Sequence, residues 1–274
     1  MDTEAVKREI LEVLKVFDGF CKAHDIKYML AYGTLIGAVR HKGFIPWDDD
    51  IDVIMTVDEY RRLKEMLPAD RYLDENKRYR FAVPGDENYA YSFMKVIDTK
   101  YTVAEKNIAD NYFMGLYIDI FRADHWPKGR VREFIQLKRE HFLLQLNKIC
   151  VRGNISEGSR FALMDKLLRP VDLLFRLFGI TSSRICRRMD RLSISNPPSG
   201  FMGSISEGTG WKREKMPAEV YTEYCTVTFE GGEYPAPKNY DRVLTSIYGD
   251  YMKLPDPSQR KGHEFNIIST DERF

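Results

Sequence analysis

The chain has 274 residues, 43% of them hydrophobic and 30% charged, with a formal net charge of +1. That is ample for a large packed core and excludes a disordered chain, while the near-neutral balance argues against a nucleic-acid coat. Four cysteines, Cys21, Cys150, Cys186 and Cys225, stand far apart with no CxxC pair, which predicts reduced, mostly buried thiols.

No apolar run approaches the roughly 20 residues of a membrane span. The start, Met1 to Lys7, lacks the basic and apolar regions of a secretory leader, so the expected location is cytoplasmic. From Glu4 to about His24, Val6, Ile10, Val13, Leu14, Phe17 and Cys21 recur at three and four, the stripe of an amphipathic helix capped by Asp2 or Thr3. Lys27 to Tyr32 is short, apolar and aromatic and predicts a buried strand. Gly33 then turns the chain, and Thr34 is placed to cap a short helix through Val39.

The next residues are the most informative. Arg40, His41 and Lys42 lead through Gly43 and Pro46 into Trp47-Asp48-Asp49-Asp50-Ile51-Asp52, with a strand expected from Asp50. Alternation would put Asp50 and Asp52 on one face of that strand. Four acids so close to a core repel one another unless a cation neutralises them. Thr56 with Glu59 forms a capping-box signature for a helix to about Leu67.

Arg80 to Val83, Tyr91 to Ile97 and Tyr101 to Glu105 predict short strands, and Gly115 to Phe121 a firmer one, with Asp119 opposite Ile118 and Ile120. After Trp126-Pro127 the composition changes. Residues 128–192 hold fifteen Lys and Arg against six Asp and Glu. They predict helices over Val131 to Cys150, Phe161 to Phe178 with a kink at Pro170, and Ser183 to Leu192. A helical hairpin with a solvated basic face is one account, and a peripheral contact with anionic lipid on the inner face of a membrane is the other. Asn196 to Gly200 is a linker; Phe201 to Ile205 and Val227 to Phe229 predict returning strands, and Asn239 to Ile247 a helix. The tail from Tyr248, with Arg260 and His263, is rich in aromatics and cations.

Two carboxylates at i and i+2 with a third from another strand suit Mg2+ or Mn2+, leaving room for phosphate oxygens. Asp50, Asp52 and Asp119 are the candidate metal-binding and catalytic residues. The Gly33-Thr34 turn offers N–H groups to phosphate. Arg40, His41, Lys42 and Lys95 are candidates to balance the remaining charge, Trp47 is an available aromatic, Asp119 or a nearby acid such as Asp48 could take the acceptor proton, and Asp48 could instead meet the substrate. An EF-hand alignment of Asp48, Asp50, Asp52 and Glu59 fails because position 6 is Val53 rather than Gly. The Gly33 to Val39 stretch lacks the Gly-Lys-Ser/Thr ending of a P-loop.

The string from Tyr32 to Asp52 resembles the signature of the LicD family of nucleotidyltransferase-like phosphotransferases, which includes fukutin-related protein. Further agreement lies in Phe93-Met-Lys-Val-Ile-Asp98, Gly115 to Phe121, Pro235 to Tyr240, and Tyr248 to Pro255 with Arg260 and His263. The resemblance implies an α+β fold, a nucleotidyltransferase-like mixed β-sheet flanked by helices. The expected organisation is a core at 1–127, a helical insertion at 128–198 and a C-terminal part, 199–274, that completes the ligand site. It implies transfer of phosphocholine from CDP-choline to a sugar hydroxyl of a cell-surface glycan, with Asp50, Asp52 and Asp119 as the metal-binding acids. Other CDP-alcohol donors and a lipid-linked glycan acceptor stay open, as do nucleotidyl transfer from an NTP and a non-catalytic glycan-binding scaffold. Arg122 and Asp256 stand where the family commonly has Pro.

Overall fold

In a computed structural model, described for residues 2–105, 108, 109, 112, 114–152, 171, 174, 175, 177–205, 211–260, 262 and 265–269, the chain builds an α+β fold around one mixed sheet. The expected first stripe forms helix α1 (Thr3–Ala23): Asp2 accepts the Ala5 N–H, and Val6, Ile10, Val13, Leu14, Phe17 and Cys21 are all buried. The sheet runs in the order β1 (Met29–Leu30), β2 (Asp52–Thr56), β6 (Leu116–His125), β4 (Met94–Asp98) and β3 (Tyr79–Ala82). Only the β2–β6 pair in this run is parallel. Strand β7 (Phe201–Gly203) joins the far end of β6, and β8 (Met216–Pro217) pairs with β7.

Alternation decides which face does what. Val53, Val96, Ile118 and Ile120 belong to the core beneath α1, so Asp52, Lys95 and Asp119 turn to the opposite face. Helix α2 (Tyr32–His41) packs on β2, and α3 (Val57–Met66) packs on β2 and β6. The Thr56 hydroxyl accepts the Glu59 N–H at 3.3 Å as expected, but the Glu59 carboxylate takes the Lys27 N–H at 3.0 Å.

Around the acid loop three local expectations change. The strand expected over Lys27 to Tyr32 is only Met29–Leu30, because Ala31 ends it by donating its N–H to Asp52 O and Tyr32 already opens α2. Thr34 is therefore not the cap but sits in the first turn, where its hydroxyl accepts the Asp52 N–H at 2.8 Å. The strand expected from Asp50 begins at Asp52, leaving Asp50 in the loop that enters it.

The basic stretch forms α4 (Arg130–Val151) and α5 (Ser182–Ile194), which pack together, with α5 also lying on β6. The helix expected over Phe161 to Phe178, with its kink at Pro170, lies largely outside the described residues. Hairpin β9 (Tyr224–Phe229)–β10 (Gly232–Pro237) and helix α6 (Tyr240–Tyr248) close the other flank. Strand β11 (Phe265–Ser269), which no sequence pattern announced, pairs with β5 (Tyr101–Glu105). All four cysteines are free thiols, with Cys21 and Cys186 buried.

Between the sheet and the α4/α5 layer lies a buried polar network. Arg122 pairs with Asp124, and with Asp190 of α5 at 2.6 Å; Lys64 reaches the same Asp190 at 2.6 Å. Beside it, Ser193 donates to Glu140 at 3.2 Å, and burial raises the Glu140 carboxyl to about 8. The native state then binds a proton more tightly than the unfolded chain, so this contribution to stability is complete below the unfolded value near 4.5 and is lost as pH rises through about 8. Glu140→Gln should flatten that loss: thermal melts at pH 6 and pH 9 are expected to show the variant gaining on the natural chain at the higher pH. Parallel pH dependence of the two proteins would contradict the assignment.

Candidate functional site

Register brings together what the sequence scatters. Asp52 on β2 stands opposite Asp119 on β6, and Asp119 stands opposite Lys95 on β4, so an acid, an acid and a cation form one row across three adjacent strands. Lys95 is 1% exposed and its Nζ lies 2.5 Å from Asp119 Oδ1. The same ammonium sits 3.3 Å from the Tyr117 ring centroid and 4.3 Å from that of Tyr91, a desolvated cation held by π-faces and one carboxylate. Tyr91, Phe93, Phe121 and Tyr32 continue as a chain of touching rings along this face.

The surplus charge is negative. Burial, then Asp50, Asp119 and Asp48, push the Asp52 carboxyl well above the usual range, with Lys95 opposing. Among the described residues no three acidic, imidazole or thiol side chains are already gathered as a metal would require. The fit to a divalent cation rests instead on donor chemistry: hard carboxylate oxygens with uncompensated charge in a desolvated place.

Helix α2 aims its N-terminus at the same region. A Cβ on Gly33 would fall 2.6 Å from Asp48 Oδ2, so only glycine lets that carboxylate come so close to the helix end, where the dipole favours negative charge. Tyr32 pays for the arrangement with a left-handed backbone, φ 44°, held by its hydroxyl donating to Glu214 at 2.8 Å and its ring meeting Phe121 edge-on. Glu214 is buried, and Tyr221 donates to its carbonyl.

Arg40, His41 and Lys42 occupy the other end of α2, about 12 Å of helix away from Gly33. Arg40 donates to Tyr251 O at 2.7 Å and to His41 Nε2 at 2.9 Å, while burial and the Arg40 charge lower the His41 pKa, favouring neutral imidazole; Lys42 is exposed. These residues fasten the acid loop: Glu230 in the β9–β10 turn accepts the Phe44 N–H and donates its own N–H to Lys42 O. The tail crosses that loop. Arg260 lies over the Trp47 ring, 5.0 Å from its centroid, and a Cβ on Gly262 would come within 2.9 Å of Trp47 O. His263 lies outside the described residues.

Residues 25–151 match the model of the LicD/FKTN/FKRP nucleotidyltransferase domain. The chain is 29% identical over 258 residues, 92% of each protein, to lipopolysaccharide cholinephosphotransferase LicD of Haemophilus influenzae. Both matches are to the LicD family. Shorter likenesses are to human ribitol 5-phosphate transferase FKRP, 30% identical over 23% of this chain and 13% of that protein. A third is mannosyltransferase regulator 4 of Saccharomyces cerevisiae, 25% identical over 43% of this chain and 10% of that one.

The match to the LicD/FKTN/FKRP nucleotidyltransferase domain gives the row of Asp52, Asp119 and Lys95 its context. Sequence reasoning missed Glu214 and the structural part of Tyr32, which meet across 182 positions and carry no local signal. It also missed Tyr248 at the end of α6, a residue with an exposed ring whose hydroxyl is pushed towards its protonated form by desolvation and then by Asp52, Glu214, Asp48 and Asp50. The LicD-like tail string beginning at Tyr248 was the available hint.

Proposed function

We propose that the chain transfers an alcohol phosphate, phosphocholine or a similar group, from a CDP-alcohol to a sugar hydroxyl of a glycan or lipid-linked glycan, releasing CMP. The row of Asp52, Asp119 and Lys95 beside the α2 N-terminus is the observation that supports this reading most directly. The similarity to a cholinephosphotransferase and to a ribitol 5-phosphate transferase favours alcohol phosphates as cargo. Asp50, Asp52 and Asp119 would hold Mg2+ or Mn2+, which supplies Lewis-acid stabilisation of the donor diphosphate.

The protein's own groups do the rest. Lys95 balances and orients Asp119. The first-turn N–H groups of α2 offer positive potential to phosphate oxygens. Arg260, braced on Trp47, adds a cation beside the acid loop. The acceptor hydroxyl attacks the distal phosphorus, the bond from that phosphorus to the bridging oxygen breaks, and CMP departs. We assign the acceptor proton to Asp48, which lies at the α2 end.

The test is to incubate the protein with Mg2+ or Mn2+ and a panel of CDP-alcohols and NTPs. CMP release from one CDP-alcohol in the presence of a glycan is the expected result. Pyrophosphate from an NTP would replace this reading with nucleotidyl transfer, and no metal-dependent nucleotide binding would leave a glycan-binding scaffold. Gly33→Ala probes the proton acceptor. The added methyl must displace the Asp48 carboxylate, a flexible group, so the fold should survive while turnover falls roughly 10- to 100-fold. Unchanged turnover would remove Asp48 from the mechanism.

A further inference from the structure

Helix α4 presents a face that a solvated helix has no need of. Val131, Phe134, Ile135 and Phe142 are 74%, 62%, 50% and 61% exposed. At 100° per residue they fall within an arc of about 100°. The charge on and around this stripe has one sign. Lys128, Arg130, Arg132, Lys138 and Arg139 are exposed, whereas the acids of α4 are withdrawn, Glu133 into an ion pair with Lys215 at 2.7 Å and Glu140 into the interior.

Beside the stripe, between α4 and α5, opens a cavity of about 310 Å3. Lys128, Arg132 and Arg139 line it with Gln136, Ser195 and Asn196. The Asn196 Nδ2 is a buried donor with no hydrogen-bond partner among the described residues. Cations, an unpartnered donor and an adjoining apolar ridge match the layered chemistry of an anionic bilayer, with phosphate at the headgroup level and hydrocarbon below it. No helix of the described residues is long and apolar enough to cross a membrane, so such a contact is peripheral.

We propose that this face of α4 docks on an anionic membrane surface, with Val131, Phe134, Ile135 and Phe142 entering the interface and the cavity of Lys128, Arg132 and Arg139 receiving lipid phosphate. The inference concerns where the enzyme works and is independent of the reaction assigned above.

Vesicle flotation of the full chain tests it. Binding is expected to phosphatidylcholine vesicles carrying about 30 mol % phosphatidylglycerol and not to phosphatidylcholine alone, with weakening in about 0.5 M salt. Arg132→Glu with Arg139→Glu should reduce binding at least about tenfold, and Phe134→Ser with Phe142→Ser should reduce it with an unchanged melting temperature, since both rings are exposed. Several results would overturn the proposal: no binding to anionic vesicles, equal binding to neutral ones, or undiminished binding by the charge-reversed variant. Complete competition by inorganic phosphate, marking a free-anion site, would also overturn it, as would a dimer that the Phe134→Ser and Phe142→Ser changes dissociate.

Discussion

Asp52→Asn is expected to lower turnover by at least about 100-fold, roughly 3 kcal/mol of transition-state stabilisation, while leaving the melting temperature equal to or above that of the natural chain. The two effects part company because burial and three neighbouring acids already disfavour the Asp52 charge, so a neutral isostere relieves a cost that only the reaction needs. Asp119→Asn should fall equally far in turnover but also lose stability, since it takes from the buried Lys95 ammonium, packed among Tyr91 and Tyr117, its hydrogen-bonded carboxylate. Adding Lys95→Met to Asp119→Asn should then restore much of the stability and none of the activity. Melting curves beside a CMP-release assay give both readouts, and near-normal turnover by Asp52→Asn would defeat the assigned role.

The largest expected effect on stability lies on the α4/α5 side of β6. Arg122→Met removes the cation that Asp124 and Asp190 share and leaves Asp124 buried without its partner, at an expected loss of about 3–5 kcal/mol. Asp190 keeps Lys64, which places the damage mainly at Asp124. Combining Arg122→Met with Asp124→Asn should recover a large part of the loss in a denaturant titration. A single variant within about 1 kcal/mol of the natural chain would show that the network contributes specificity rather than stability. Arg122 stands where the resemblance implies Pro, and its contacts with Asp124 and Asp190 make it a joint between the sheet and the helical layer.

The legible parts of this protein were those written in local periodicity. The α1 stripe, the Thr56 cap, the Tyr101–Glu105 strand and the two helices bounding the basic stretch follow from spacing within one element, and each lies within a residue or two of its expected place. The errors cluster where a tertiary bond outweighs a local preference. Thr34 has the chemistry of a helix cap, yet its hydroxyl serves the Asp52 N–H, because the β1–β2 pairing brings that strand against the first turn of α2. Tyr32 has the propensity of a strand residue and is held in a left-handed helical start by Glu214 and Phe121.

From its own residues the sequence determined that an Asp-x-Asp pair stands at the edge of a core with a glycine turn before it, since both features are short-range and chemically distinctive. Only the tertiary structure decided that Asp119 faces Asp52, that Lys95 rather than Arg40 or His41 balances the acid row, and that Glu214 holds Tyr32. Those pairings depend on parallel and antiparallel register between strands far apart in the chain. A register is selected by the burial of a whole strand face, which no single residue announces.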